Sequence, residues 1–323
     1  MIDLKQITFI GNDLVRPECV LTTRSGNHYV SDFRGGITQI NARQQQTFYG
    51  GGEVAGYGLL KPNGIALLQD GSFLVAHLGD KQGGIFKITR DSKITPFLTE
   101  IDGEPIPPSN FVHLDHQGRI WITISTRKIP RATAYRSDIK DGFIIVVDSD
   151  GARIVADNIG YTNEVYVTTQ GNELYVNATF SRELIRYTIA PDNSLISPQV
   201  VCKFGHGVFP DGLTMDVNGH LWVSSIVSNR IIRVNPEDGT QTVIIEDCDA
   251  EHLKWVERAY KIHGMGRPHL DNIKSTVLQN ISSLAFGGKD LSTIYLGCLL
   301  GKQLASCQSY TQGMPPAHWD FDG

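Results

Sequence analysis

Phe209-Pro210-Asp211-Gly212-Leu213-Thr214-Met215-Asp216-Val217-Asn218-Gly219-His220-Leu221-Trp222-Val223-Ser224-Ser225 reads as a polar residue, a short apolar strand, a glycine turn and a second apolar strand. Short apolar runs bounded by an Asn-Gly turn mark paired strands rather than a helix. The pattern recurs earlier with Glu18, Asn63, Asn110 and Asn163 in place of Asp211, and later with Ser282. Successive anchors lie 45, 47, 53, 48 and 71 residues apart. A period near 45 residues with about four strands per unit is that of a propeller blade. A blade cannot cover both of its faces alone, so neighbouring blades stack around an axis. Six repeats predict an all-β fold, a six-bladed β-propeller, over residues 1–323 as a single domain. Residues 4–10 are expected to supply the outer strand of the last blade. A sandwich with a chance repeat would need six accidental matches in order.

The chain as a whole agrees with this reading. Of 323 residues 41% are hydrophobic, enough for a core, and 33 are glycine, many beside Asp, Asn or Gln in turns. The net charge of -5 and the lack of a basic run exclude nucleic acid as a favoured partner. No apolar stretch approaches the roughly 20 residues that span a bilayer, so no membrane partner is expected. The N-terminus lacks the pattern of a signal peptide. Five scattered cysteines without a C-x-x-C suit free thiols in a reducing cytoplasm, which is the expected location. No feature speaks to an oligomeric state.

If each anchor opens an innermost strand, all six anchors face the channel at one end. The second strands return to that end, bringing His77, Thr126, Asn177, Ser224 and Ser225. Residues 127–141 and 249–279 are insertions on the same face, the second containing one short helix at 250–260. The run Gly50-Gly51-Gly52-Glu53-Val54-Ala55-Gly56-Tyr57 is expected to be flexible and outside the packed core. Long loops on one face predict a partly covered site.

The anchors are Glu, Asn, Asn, Asn, Asp and Ser, all oxygen donors. Converging carboxylate and amide oxygens suit a hard cation such as Ca²⁺ or Mg²⁺. Without one, Glu18 and Asp211 would repel and one carboxyl would titrate high. Turn capping accounts for Asn63 and Ser282, but poorly for Glu18 after Pro17.

Arg16-Pro17-Glu18, Asn110 followed by Asp115-x-x-Gly118-Arg119-Ile120-Trp121, Thr162-Asn163 and Phe209-Pro210-Asp211-Gly212 together resemble the SMP-30/gluconolactonase/luciferin-regenerating-enzyme family of six-bladed propellers. The resemblance covers nearly the whole chain. It implies a divalent metal on Glu18, Asn163 and Asp211, with Asn110 close to the metal and in contact with substrate or water. Ca²⁺ is favoured, with Mg²⁺, Mn²⁺ or Zn²⁺ as alternatives. It also implies a small-molecule substrate and hydrolysis of a lactone or related ester. The metal would polarise the carbonyl, and Asp211 would serve as base or nucleophile. His77 is a further acid–base candidate. Pro108 stands where the sugar lactonases carry an arginine, and Phe111 follows Asn110, which leans toward a less polar substrate. The same fold and ion could instead host an isomerase or lyase step, or a non-catalytic ligand-binding propeller with a structural ion. Arg267, in the second insertion, could take an anionic substrate group.

Overall fold

Six four-stranded antiparallel sheets form the ring in the computed structural model, which describes residues 1–322. The fold is an all-β six-bladed propeller. Blade five is typical, with strands Phe209–Met215, Leu221–Ile226, Arg230–Val234 and Gln241–Glu246 running outward from the axis. Their inner pair is in register at Pro210 with Ser225 and at Leu213 with Val223.

The ring closes where Thr8–Ile10 pairs with Leu304–Gln308, Thr8 opposite Ser306. This strand is shorter than the expected 4–10. Asp3 accepts a hydrogen bond from the Lys5 amide at 3.0 Å and caps a 3₁₀ turn at Leu4–Gln6. Ile2, Leu4 and Ile7 then pack against the core shared by blades five and six.

A feature not visible in the repeat pattern recurs at the anchors. The inner ladder shifts register between Pro62 and Ile65, Ser109 and Phe111, Thr162 and Val165, Pro210 and Leu213, and Ile281 and Leu284. Each interval contains the anchor. Such a bulge bends the strand and re-aims its side chains. The bends press neighbouring inner strands together: a Cβ on Gly212 would lie 2.6 Å from the Ser282 carbonyl, and one on Gly64 2.6 Å from the Phe111 Cα. Only glycine leaves room for that approach.

At the opposite end, Asp115 and Asp216 organise the turns. Asp216 accepts from the Asn218 and His220 amides through Oδ1, and from Trp222 Nε1 at 2.9 Å and Arg233 Nε at 2.7 Å through Oδ2. Asp115 repeats this with Trp121 Nε1 and Arg119 Nε. The C-terminal segment runs across this end. Arg24 N donates to Trp319 O, Met314 N to Met215 O, and Arg90 lies over the Phe321 ring.

The second insertion forms two helices, α1 (Ala250–Lys261) and α2 (Arg267–Asp271). Only α1 was expected; the signal for α2 is Pro268 in its first turn. Glu257 on α1 accepts from Arg182 Nη2 and from the Gly207 amide, both at 2.6 Å, and Tyr260 donates to Phe180 O. Burial works to raise the Glu257 carboxyl, but Arg182 and the amide outweigh it and hold it below its ordinary value. A depressed folded-state value means the contribution is whole above about pH 4.3 and is lost as pH falls through the folded value. We expect Glu257→Gln to cost about 1.5–3 kcal/mol in urea unfolding at pH 7, with the gap to wild type closing under acid. An unchanged gap at low pH would contradict this.

The glycine-rich run lies outside the packed core, as expected, and folds into a short hairpin. Glu53–Val54 pairs with Gly58–Leu59, and Tyr57 packs edge-on against Phe86 at 4.9 Å. Closure of this hairpin lets Val54 and Tyr57 bury area against the core.

Candidate functional site

The bulges bring three anchors, Asn63, Asn110 and Asn163, into a common hydrogen-bonded chain with Glu18. Arg16 Nη1 donates to Asn63 Oδ1 at 2.7 Å, and Asn63 Nδ2 lies 2.9 Å from Glu18 Oε1 and 3.2 Å from Asn110 Oδ1. Asn110 Nδ2 donates to Asn163 Oδ1 at 2.5 Å, and Asn163 Nδ2 to Thr179 Oγ1 at 2.9 Å. Glu18, Asn63, Asn110, Asn163 and Asp211 are all buried and line one cavity. Ser282 is apart from it: its hydroxyl donates to the Glu18 carbonyl and braces that anchor from behind.

The backbones are fixed from the second strands. Asn177 Nδ2 donates to the carbonyls of Asp211 and Gly212, and Ser224 Oγ accepts from the Gly212 amide at 2.7 Å. Thr126 is tied to Asp141. These strand ends therefore hold bulges and loops in place. Ser225 accepts from the Phe209 amide, and among the described residues no serine triad forms around it.

The two carboxylates carry opposed influences. Burial raises the Glu18 carboxyl above its ordinary range against the pull of Arg16, Arg131 and Asn63. Burial, and then the charge of Glu18, push Asp211 well above its range, against Arg16 and the Asn163 hydrogen bond. A cation between them would replace repulsion with attraction. Among the described residues no three His, Cys, Asp or Glu side chains gather in a metal-sized cluster. A cation here would rest on Glu18 and Asp211, with the amide oxygens of Asn163 and Asn110 completing a hard-oxygen set. That set fits Ca²⁺ or Mg²⁺ and lacks the nitrogen and sulfur ligands typical of zinc.

Above the anchors the mouth is built by the insertions. Arg131 opens a 3₁₀ turn at Arg131–Ala134, donates from Nη2 to Asn110 Oδ1 at 2.9 Å and Ser125 Oγ at 3.1 Å, and lies over the Tyr161 ring. Tyr135 stacks on Phe180 at 4.6 Å. Arg267 and Leu270 enter from α2. The cavity has a volume of about 50 Å³. That is several times the roughly 10–15 Å³ one water needs, but well below a typical ligand pocket of about 300–1,000 Å³. The inserted loops thus leave a narrow passage to the anchors. A larger hollow of about 730 Å³ at the opposite end, beside the C-terminal segment, contains none of the anchors.

The structure does not bring His77 to this cavity. It lines a separate groove with Tyr57, Lys61 and Asp80, and its Nδ1 accepts from the Lys61 amide at 2.9 Å. Burial, aided by Lys61, lowers it to about 4. Sequence reasoning missed Arg16, Arg131, Tyr135, Tyr161 and Thr179 as cavity residues. The sequence alone does not single out Arg131. The first insertion holds three arginines; Arg127 pairs with Asp157 and Arg136 with Asp138, while Arg131 turns inward.

Comparison with known proteins agrees with the fold. Residues 17–249 match the SMP-30/Gluconolactonase/LRE-like region. YvrE, a candidate sugar lactone lactonase of Bacillus subtilis (strain 168), is 23% identical over 190 residues, 58% of this chain. The match spans about half, 52%, of that relative's length. A luciferin-regenerating enzyme superposes with a TM-score of 0.67 at 16% identity, over 96% of this chain and 98% of its own. The calcium-binding protein regucalcin from Agrobacterium tumefaciens str. C58 gives 0.66 at 16% identity, over 95% and 96%. At these identities the superpositions speak to fold alone.

Proposed function

The chain belongs to the SMP-30/Gluconolactonase/LRE-like family, and from that premise we propose that it is a metal-dependent hydrolase of a lactone or related ester. The observation that carries this reading is the meeting of Glu18, Asn110, Asn163 and Asp211 in one buried cavity under a passage framed by insertions. These four residues would hold one divalent cation, assigned as Ca²⁺, which when bound polarises an ester carbonyl and acidifies water. Asp211 accepts the proton of the attacking water at its carboxylate, or attacks directly. Asn110, fixed by Arg131 and Asn63, orients the substrate. Tyr161, Ile226 and Leu299 supply apolar walls that keep bulk water away. Pro108 stands where the sugar lactonases carry an arginine, and the walls given by Tyr161, Phe180, Ile226, Leu270 and Leu299 suit a less polar substrate than a sugar lactone. The five thiols are unpaired, four of them buried, and we assign the protein to the cytoplasm.

The narrowness of the passage, with Arg131 bonded across Asn110, favours one second reading: a propeller that binds a small ligand above a structural ion without turnover. A panel of aliphatic and aromatic lactones separates the two. Hydrolysis is expected to stop with EDTA, to return with Ca²⁺, and to place heavy oxygen from labelled water in the product. Turnover indifferent to EDTA would defeat the metal assignment. Binding with no turnover would favour the second reading, and turnover without label would indicate rearrangement or elimination.

A further inference from the structure

Two arginines at the cavity lack the partner that their surroundings would suggest. Arg16 and Arg131 are half-buried, yet among the described residues neither has a carboxylate oxygen within 4.0 Å. Arg16 uses Nη1 on Asn63, and its guanidinium sits over Phe33 at 4.5 Å. Arg131 uses only Nη2, and its Nε is buried with no hydrogen-bond partner. Arg267 stands exposed at the mouth, tied to Asp271 across a surface ion pair that solvent screens.

Had Arg16 and Arg131 served only to neutralise Glu18 and Asp211, direct ion pairs would be the low-energy arrangement for charges in so little space. They face the cavity without forming them. A divalent cation on the two carboxylates cancels their charge and leaves both guanidiniums uncompensated in a partly desolvated site. A planar guanidinium with free N–H groups is matched by a carboxylate or phosphate. Around it the walls are Tyr135, Tyr161, Leu270 and Leu299, which suit a small apolar body.

We propose that the ligand of this cavity is a small, largely apolar molecule bearing one anionic oxygen group, a carboxylate or a phosphate, seated against Arg131 with Arg16 and Arg267 beside it. This rests on the reading of the cavity as a substrate site. It specifies the substrate class as an anionic lactone or ester.

The test uses the full chain loaded with Ca²⁺ and two kinds of probe. Calorimetry with tetrahydrofuran-2-carboxylate, its methyl ester and inorganic phosphate reads binding without any reaction. The carboxylate or the phosphate is expected to bind at least about tenfold more tightly than the neutral ester, and the stronger of the two names the anion. Arg131→Met should narrow that ratio to within about twofold, and Arg131→Lys should recover part of it, with both variants checked for an unchanged thermal melt. Hydrolysis of 5-oxotetrahydrofuran-2-carboxylate against its methyl ester gives the parallel ratio of kcat/KM. Equal binding of acid and ester, a preference untouched by Arg131→Met, or no binding of any anion overturns the proposal. Anion binding through Arg131 with no lactone turned over defeats the hydrolase reading and leaves this one standing. Turnover of neutral lactones without preference for the acid does the reverse.

Discussion

Asp211→Asn is expected to lower kcat/KM for any lactone the protein hydrolyses by about 100- to 10,000-fold, the range lost with a general base. The substitution is nearly isosteric, and the backbone at Asp211 is held independently by Asn177. The fold should therefore persist, as a thermal melt would show. Asparagine keeps one oxygen for a cation but cannot take a proton or attack. Glu18→Gln provides the contrast. It removes one of only two charges available to the ion, so its loss should lie mainly in ion affinity and should be recovered by raising Ca²⁺. The Asp211→Asn loss should persist at saturating Ca²⁺. If excess ion rescues both equally, Asp211 is a ligand and nothing more.

The second large effect concerns stability and lies at the other end of the propeller. Asp216→Ala is expected to cost about 3–5 kcal/mol of unfolding free energy, the range for breaking a buried ion pair from one side. The substitution leaves Trp222 Nε1 and Arg233 Nε without their acceptor and strips the turn of its caps to Asn218 and His220. Burial opposes ionisation of Asp216, but the Trp222 and Arg233 hydrogen bonds prevail and hold the carboxyl below its ordinary range. Its stabilisation is accordingly complete above about pH 3.9 and lost as pH falls through the folded value. Denaturant titrations at pH 7 and pH 3 should show the difference between wild type and Asp216→Ala shrinking in acid. A loss under about 1 kcal/mol at pH 7 would mean that the Asp–Trp–Arg cluster is ornamental.

The ring itself was legible because its cause is local. Each blade carries its own Gly turn and its own alternation, and six copies average out the noise of any one. The anchors were legible as residues but not as geometry. Whether Asp211 points into the channel depends on the bulge between Pro210 and Leu213, and that bulge has room only where the Ser282 strand can lie against Gly212. No pattern within one repeat encodes the distance to the next. His77 shows the same gap. The end of its strand was correctly expected on the anchor face, but the Tyr57 hairpin covers it and turns it into a different groove. The first insertion marked where to look for mouth residues. Loops have no periodicity, however, so the inward turn of Arg131 became visible only once Arg127 and Arg136 were seen held outside by Asp157 and Asp138. At residues 4–6 one capping aspartate outweighed an apolar run that reads as strand.

The C-terminal segment that ties Arg24, Met215 and Arg90 together also decides the traffic through the molecule. With that end covered, and the small cavity lined by Cys19, Phe111, Val165 and Leu213 sharing no wall residue with the anchor cavity, the channel is a cul-de-sac rather than a tunnel. Whatever passes Arg131 on the way in has to pass it again on the way out. On the proposed hydrolysis of a lactone, the ring-opened product would carry a new carboxylate and would leave by a doorway lined with arginine, so the doorway that admits the substrate would also detain the product.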